Sequence, residues 1–207
     1  MKRCYMCDHP TNSKQDLYRW LKCDSLLCGA CLSKLIPLRK TYQHQGMKLH
    51  VLYAYNEFIE NMLFQYKEGL DTELRFCFLH EDRRYIEKRY KGHTLALMPS
   101  SKEKTQARGF HALAEMSNVL RLKKIQPFYK TEDRKQSSLN YEQRLQIGEI
   151  IRLDATKTLL KKKLVLFDDV CTSGATLTKA YELLKQENIV AEALVLCAHP
   201  LFIQNHT

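Results

Sequence analysis

The chain has 207 residues and 44% hydrophobic content, enough for one packed domain with a small module beside it and too apolar for wholesale disorder. Its apolar runs stay far below the ~18 residues of a membrane-crossing helix, and no apolar stretch follows Met1-Lys2-Arg3. No membrane insertion and no signal peptide are therefore expected, and the expected compartment is the cytoplasm. A formal charge of +10, with a pI near 9.2, favours a polyanionic partner, while eight cysteines without a secretory signal point to metal rather than disulfides.

Residues 1–36 read as a unit of their own. Cys4-Tyr5-Met6-Cys7 and Cys28-Gly29-Ala30-Cys31 are two Cys-x-x-Cys turns. Each aims two sulfurs at one ion, and together they complete a tetrahedral set. Cys4, Cys7, Cys28 and Cys31 are thus expected to hold zinc. Four protein ligands leave no open position, so the metal is structural rather than catalytic. Cys23 lies near enough to stand in for Cys28. A segment this short has little core, and metal binding supplies its folding free energy. Trp20, Leu26, Leu27 and Leu35 are expected to pack around the turns. With four thiolates and a divalent ion the net charge falls to about +8, still strongly basic.

Ile36-Pro37 marks a boundary, and a second domain is read over 43–207, with a mixed lead-in over 43–90 and a core over 91–207. His50-Val51-Leu52-Tyr53-Ala54-Tyr55 alternates as a short strand does. Phe58, Ile59, Met62, Leu63 and Tyr66 share one helical face, which Lys67 closes with Gly69 as cap. A further helix is predicted over 73–79 and on towards Tyr90. The charged run Glu81-Asp82-Arg83-Arg84 is read as a solvated face.

His93-Thr94-Leu95-Ala96-Leu97-Met98-Pro99 reads as a buried strand running into a loop over 100–110. Ser100, Ser101 and Lys102 in that loop could hold a pyrophosphate, and a helix is predicted over 112–122. Ile125-Gln126-Pro127-Phe128-Tyr129-Lys130 reads as an edge strand, because proline cannot donate to a ladder. The polar stretch 131–140 has the composition of a lid or binding loop, Arg144 falls on a predicted helix, and Lys161-Lys162-Lys163 reads as a solvated turn.

Leu164-Val165-Leu166-Phe167 then reads as a strand buried on both faces, followed by Asp168-Asp169, the hydroxyl-rich loop Val170-Cys171-Thr172-Ser173-Gly174-Ala175-Thr176, and a helix carrying Leu177, Ala180, Tyr181, Leu183 and Leu184. A helix start offers N–H groups to a phosphate, Gly174 permits close approach, and Thr172, Ser173 and Thr176 add donors. Two carboxylates repel a phosphate but suit ribose hydroxyls or a hydrated magnesium ion. Cys171 is read as a small loop residue. Glu192-Ala193-Leu194-Val195-Leu196-Cys197 is a further buried strand, and the alternation of strands and helices implies an α/β fold with a doubly wound parallel sheet. No Gly-x-x-x-x-Gly-Lys-Ser/Thr loop occurs.

The stretch from Leu164 to Thr176 resembles the phosphoribosyl-pyrophosphate (PRPP) motif of type I phosphoribosyltransferases. The resemblance implies that sheet type, with Asp168 and Asp169 on the ribose hydroxyls and Cys171, Thr172, Ser173, Gly174, Ala175 and Thr176 around the 5′-phosphate. It also implies pyrophosphate and magnesium near Ser100, Ser101 and Lys102.

The longer order resembles the ComF family of competence proteins. It runs from the paired Cys-x-x-Cys turns to Tyr66-Lys67-x-Gly69, similar to that family's Lys-Tyr-x-Gly with the first two exchanged. Met98-Pro99 follows, then Arg108-Gly109-Phe110 with His111 where the family has Asn, then Arg134, Gln136 and Arg144, then the PRPP motif. That resemblance implies a protein of natural transformation at the cytoplasmic face of the membrane, binding single-stranded DNA and a ComFA-type helicase-like ATPase. Lys102, Lys104, Arg108, Arg134, Lys135 and the Lys161-Lys162-Lys163 run are the DNA-binding candidates. The alternative is an active phosphoribosyltransferase with a nitrogen acceptor.

Overall fold

Residues 2–11, 25–131, 150–154 and 163–206 are described by the structure, a computed structural model. Its sheet is built on β7 (Leu164–Cys171), whose first four side chains are wholly buried. β7 pairs in parallel with β8 (Ala191–Ala198) on one side and β3 (Thr94–Leu97) on the other. Cover on both faces explains the unbroken apolar runs. β1 (Pro37–His44), β2 (Met47–Ala54) and β4 (Lys123–Ile125) complete a six-stranded sheet of order β1-β2-β8-β7-β3-β4. Every pairing in it is parallel except β1 with β2. This is the mixed α/β fold with a mostly parallel central sheet that the sequence predicts. β5 (Phe128–Thr131) and β6 (Ile150–Leu153) form a separate antiparallel pair.

Several elements differ from the sequence expectation. The mixed pattern after residue 43 hides the second half of a hairpin. Gln45 and Gly46 both have positive φ, 49° and 78°, the two-residue turn that matches the twist of its flanking strands. His50 to Tyr53 do not alternate; all are buried, because β2 lies inside the sheet between β1 and β8. The predicted edge strand over 125–130 is divided by Gln126-Pro127 into β4 and β5.

Of the helices, α1 (Gly29–Leu32) follows the second cysteine turn. α2 (Glu57–Lys67) is capped by Asn56, whose Oδ1 accepts from Ile59 N at 3.0 Å, and it buries Ile59, Met62, Leu63 and Tyr66 as predicted. Gly69 is needed for a tight approach rather than a left-handed cap: a Cβ there would lie 2.7 Å from the Gln65 carbonyl oxygen. The helix predicted after residue 73 is instead a 3₁₀ turn (Thr72–Phe76) followed by α3 (Cys77–His80) and α4 (Arg83–Arg89). Asp82 corrects the reading of the charged run as a solvated face. It is wholly buried, accepting a hydrogen bond from the Tyr53 hydroxyl and an ion pair from Arg39 at 2.8 Å.

The expected loop over 100–110 is mostly helix, α5 (Lys102–Arg108). Ser101 Oγ accepts from Lys104 N at its start, and Gly109, at φ 76°, ends it. α6 (Ala112–Ser117) is shorter than predicted and is capped by His111, whose Nδ1 accepts from Ala114 N at 3.3 Å. Asparagine serves the same capping purpose, so the departure at His111 leaves the helix start intact. α7 (Ala175–Gln186) and α8 (Pro200–Gln204) follow β7 and β8. Trp20, Cys23, Arg134, Lys135, Gln136, Arg144, Lys161, Lys162 and the polar stretch 132–140 lie outside the described residues.

Candidate functional site

Two sites emerge, one of sulfur and one of oxygen and nitrogen. The first gathers Cys4, Cys7, Cys28 and Cys31, whose Sγ atoms all lie within 4.8 Å of one another. Cys7 Sγ is 3.5 Å from both Cys28 Sγ and Cys31 Sγ. Four sulfurs ~2.3 Å from one tetrahedral ion stand about 3.8 Å apart, so this set fits a metal ion. Leu27 and Leu35 are buried in the same core cluster as Cys4, Cys28 and Cys31, and Leu26 is partly buried against that cluster. The turn is tied to the sheet: Ala54 N donates to Ile36 O at 2.9 Å, and Asn56 Nδ2 to Lys34 O at 2.8 Å.

The second site lies where β3 and β7, parallel neighbours, both end. β7 runs through the acidic pair, placing its two carboxylates on opposite faces. Asp168 is partly exposed and Asp169 is buried, and the Asp169 N–H donates to Asp168 Oδ1 at 3.0 Å. Burial pushes the Asp168 carboxyl up to about 6, with Lys67 and Lys130 pulling the other way. Beyond the pair, Thr172 and Ser173 are exposed, Gly174 takes φ 78° as N-cap of α7, and Ala175 and Thr176 are exposed in its first turn. Gly174 brings no side chain to cap that turn, and the Ala175 N–H donates to Ser173 Oγ at 3.4 Å instead. Cys171 is buried beneath the loop. Burial and then Asp168 raise its thiol to about 12, so it stays protonated, as befits a small loop residue.

Two features of this site go beyond the roles the sequence reading assigns. Lys67, read as a helix terminator, is ion-paired with Asp169 Oδ2, and its side chain is only 23% exposed. Burial lowers its pKa to about 8; Asp168 opposes that shift, while Arg108 and Lys104 add to it. Tyr66, Lys67 and Glu68 each fasten the end of α2 to a different partner. The Tyr66 hydroxyl donates to Ala112 O at 2.8 Å, Lys67 reaches β7, and Glu68 pairs with Arg108 at 2.5 Å. The Tyr-Lys-x-Gly spacing is the only sequence signal of this junction.

The other feature is a histidine pair against the loop at Gly174. His206 Nδ1–H donates to Phe202 O at 2.7 Å, so its Nε2 accepts from His44 Nδ1–H at 2.8 Å. His44 Nε2 is thereby left unprotonated against Gly174, where a Cβ would meet it at 2.5 Å.

The remaining predicted residues are dispersed. Ser100 and Ser101 are partly exposed after β3, while Lys102 and Lys104 are exposed on α5. Arg108 is not a surface cation: its side chain is 8% exposed, and its Nε is buried without a partner. Among the described residues no helix is long and apolar enough to cross a membrane.

A phosphoribosyl transferase domain model matches residues 106–201. The competence protein ComFC of Streptococcus pneumoniae is 27% identical over 146 residues, covering 68% of this chain and 63% of that protein. The competence protein ComFC of Bacillus subtilis is 28% identical over 128 residues, covering 61% and 53%. The chain therefore spans less than two thirds of the length of either curated relative. A crystal structure of orotate phosphoribosyltransferase from Aeropyrum pernix, 13% identical, covers 81% of this chain and 90% of its own at a TM-score of 0.28, too loose a likeness to carry an argument. The paired cysteine turns ahead of the sheet, the acidic pair and loop within the matched region, and the two curated relatives support a ComFC-type protein with a phosphoribosyl transferase domain.

Proposed function

We propose that this chain is a competence protein acting in DNA uptake, and that the end of β7 is a site for PRPP or a related phosphate ester. The observation that carries the site is the geometry around Gly174: an acidic pair, the first turn of a 12-residue helix whose N-cap is a glycine, and exposed hydroxyls in one contiguous loop. In this reading Asp168 and Asp169 receive ribose hydroxyls and the loop from Cys171 to Thr176 holds the 5′-phosphate. Magnesium bound with the ligand would neutralise the pyrophosphate near Ser100, Ser101 and Lys102. The metal in the cysteine site is zinc, favoured by an all-thiolate tetrahedral donor set. The basic charge serves single-stranded DNA, with Lys102, Lys104 and Lys163 the exposed candidates among the described residues, and the partner is a ComFA-type ATPase.

A second reading keeps the same site but adds turnover. A nitrogen nucleophile would form a bond to C1 of the ribose as the bond to pyrophosphate breaks, through an oxocarbenium-like state. The protein would contribute chiefly positioning and electrostatics.

Calorimetry with PRPP and magnesium, beside filter binding of single-stranded DNA across a salt series, tests both. We expect PRPP heat that disappears in Asp168→Ala/Asp169→Ala, and DNA affinity that falls with salt at a log–log slope of about −0.7 per phosphate contact. Absence of PRPP heat at millimolar concentration overturns the site. Absence of DNA binding at low salt, with steady pyrophosphate release from PRPP and a nucleobase, overturns the competence reading in favour of the enzyme.

A further inference from the structure

We propose that Lys67 and Arg108 are diphosphate ligands parked on acids of the protein itself, and that the site admits a ribose only when the ribose carries a diphosphate to draw them off. The inference rests on the PRPP reading and names what would make that site selective.

Three observations carry it. Lys67 sits on Asp169, one of the two carboxylates that a ribose would need. Arg108, from α5, sits on Glu68, the residue next to Lys67, at 2.5 Å. The Arg108 side chain is more than nine-tenths buried, yet its Nε has no partner, so the guanidinium is incompletely used at rest. A buried guanidinium with a donor to spare is an anion site waiting for a multidentate oxygen ligand. The cations are close enough that Arg108 and Lys104 both depress Lys67. A diphosphate would meet all three charges near the acidic pair.

Exchange of partners follows from the charges. With no ligand, Lys67 neutralises Asp169, and a neutral hydroxyl cannot displace an ammonium from a buried carboxylate without leaving that ammonium unpaired. A diphosphate can, because it offers the ammonium a stronger partner as the carboxylate is released to the ribose. Arg108 would leave Glu68 at little cost, since that carboxylate is 52% exposed and rehydrates. Ribose 5-phosphate satisfies the loop but cannot relieve Lys67, so it should bind poorly.

The test is calorimetry of the full chain with PRPP, ribose 5-phosphate and pyrophosphate, each with magnesium. For the wild type we expect PRPP to bind at least tenfold tighter than ribose 5-phosphate, with pyrophosphate binding measurably alone. Lys67→Met should shrink the PRPP to ribose 5-phosphate ratio by about tenfold or more, as PRPP loses a charged partner and ribose 5-phosphate gains a free Asp169. Glu68→Gln removes only an exposed carboxylate, so it keeps the proposal testable should Lys67→Met fold poorly. It should tighten PRPP and pyrophosphate severalfold and leave ribose 5-phosphate unchanged. If the wild type binds PRPP but Lys67→Met weakens both sugar phosphates equally, or Glu68→Gln leaves pyrophosphate affinity unchanged, the exchange is wrong while the PRPP site stands. If the wild type binds no PRPP, both fall.

Discussion

Gly174→Ala is expected to destabilise the chain through one identifiable neighbour. Two costs add. A non-glycine residue at φ 78° is strained by roughly 1–2 kcal/mol, offset by roughly 0.4–1 kcal/mol from a less flexible unfolded chain. The new Cβ would also lie 2.5 Å from His44 Nε2 and 2.9 Å from its Cδ2. The His44 ring cannot simply swing away. Its Nδ1 is bonded to His206 at 2.8 Å, its face meets the edge of Phe202 at 5.2 Å, and Phe202 is stacked on His206 at 4.2 Å. Overpacking against such a ring costs roughly 1–3 kcal/mol, for a total of about 2–4 kcal/mol. In a His44→Ala background the clash is gone, and Gly174→Ala should cost only about 1 kcal/mol. Urea unfolding of the four proteins, followed by circular dichroism, gives the coupling directly, expected at about 1–3 kcal/mol. Additivity within about 0.5 kcal/mol would show that His44 does not press on the loop and refute the argument.

The cysteine site is expected to yield one zinc per chain on metal analysis, and Cys28→Ser should lose it. Full retention in that variant would transfer the ligand role to Cys23. Asp82→Ala should cost about 1–3 kcal/mol by urea unfolding, because the buried Tyr53 hydroxyl loses its acceptor while Arg39, half exposed, can hydrate. Asp168 should make stability fall as pH rises. Burial pushes its carboxyl up to about 6 in the fold from the usual 3.8, so between those values the unfolded chain ionises first. Asp168→Asn is therefore expected to raise the melting temperature above pH 6 and to leave it unchanged below about pH 4, and an effect independent of pH would contradict the assignment to burial.

What the sequence reveals here depends on how far apart the interacting residues are. The run from Leu164 to Thr176 is legible because strand, acids, loop and helix start are consecutive and burial on both faces leaves an unbroken apolar signature. The four cysteines are legible because their spacing is itself the ligand geometry. Lys67 is not, since a lysine at a helix end has an ordinary explanation in the helix dipole, and Asp169 is 102 residues away. His44 and His206 are separated by 162 residues and lie in segments with no motif. Asp82 is hidden by its charged neighbours, and only the fold reveals that one acid in that run turns inward. The β1–β2 hairpin did leave a local trace, the glycine after Gln45, but the apolar run of β2 lacks the alternation by which hairpin strands are usually recognised.

The strand order has a consequence for how the chain is made. β2 acquires its inner neighbour only when β8 exists, and β3 waits for β7, so the sheet cannot close until the segment after residue 163 has left the ribosome. Until then the nascent hairpin presents Leu49, Val51 and Tyr53 along an unpaired edge, the kind of strand that invites intermolecular pairing. Synthesis is vectorial, and here the most buried strands are translated late. Chains stalled before β8 should therefore be ready chaperone clients and poor survivors of limited proteolysis, whereas chains extended through β8 should close quickly around a sheet that lacked only its centre.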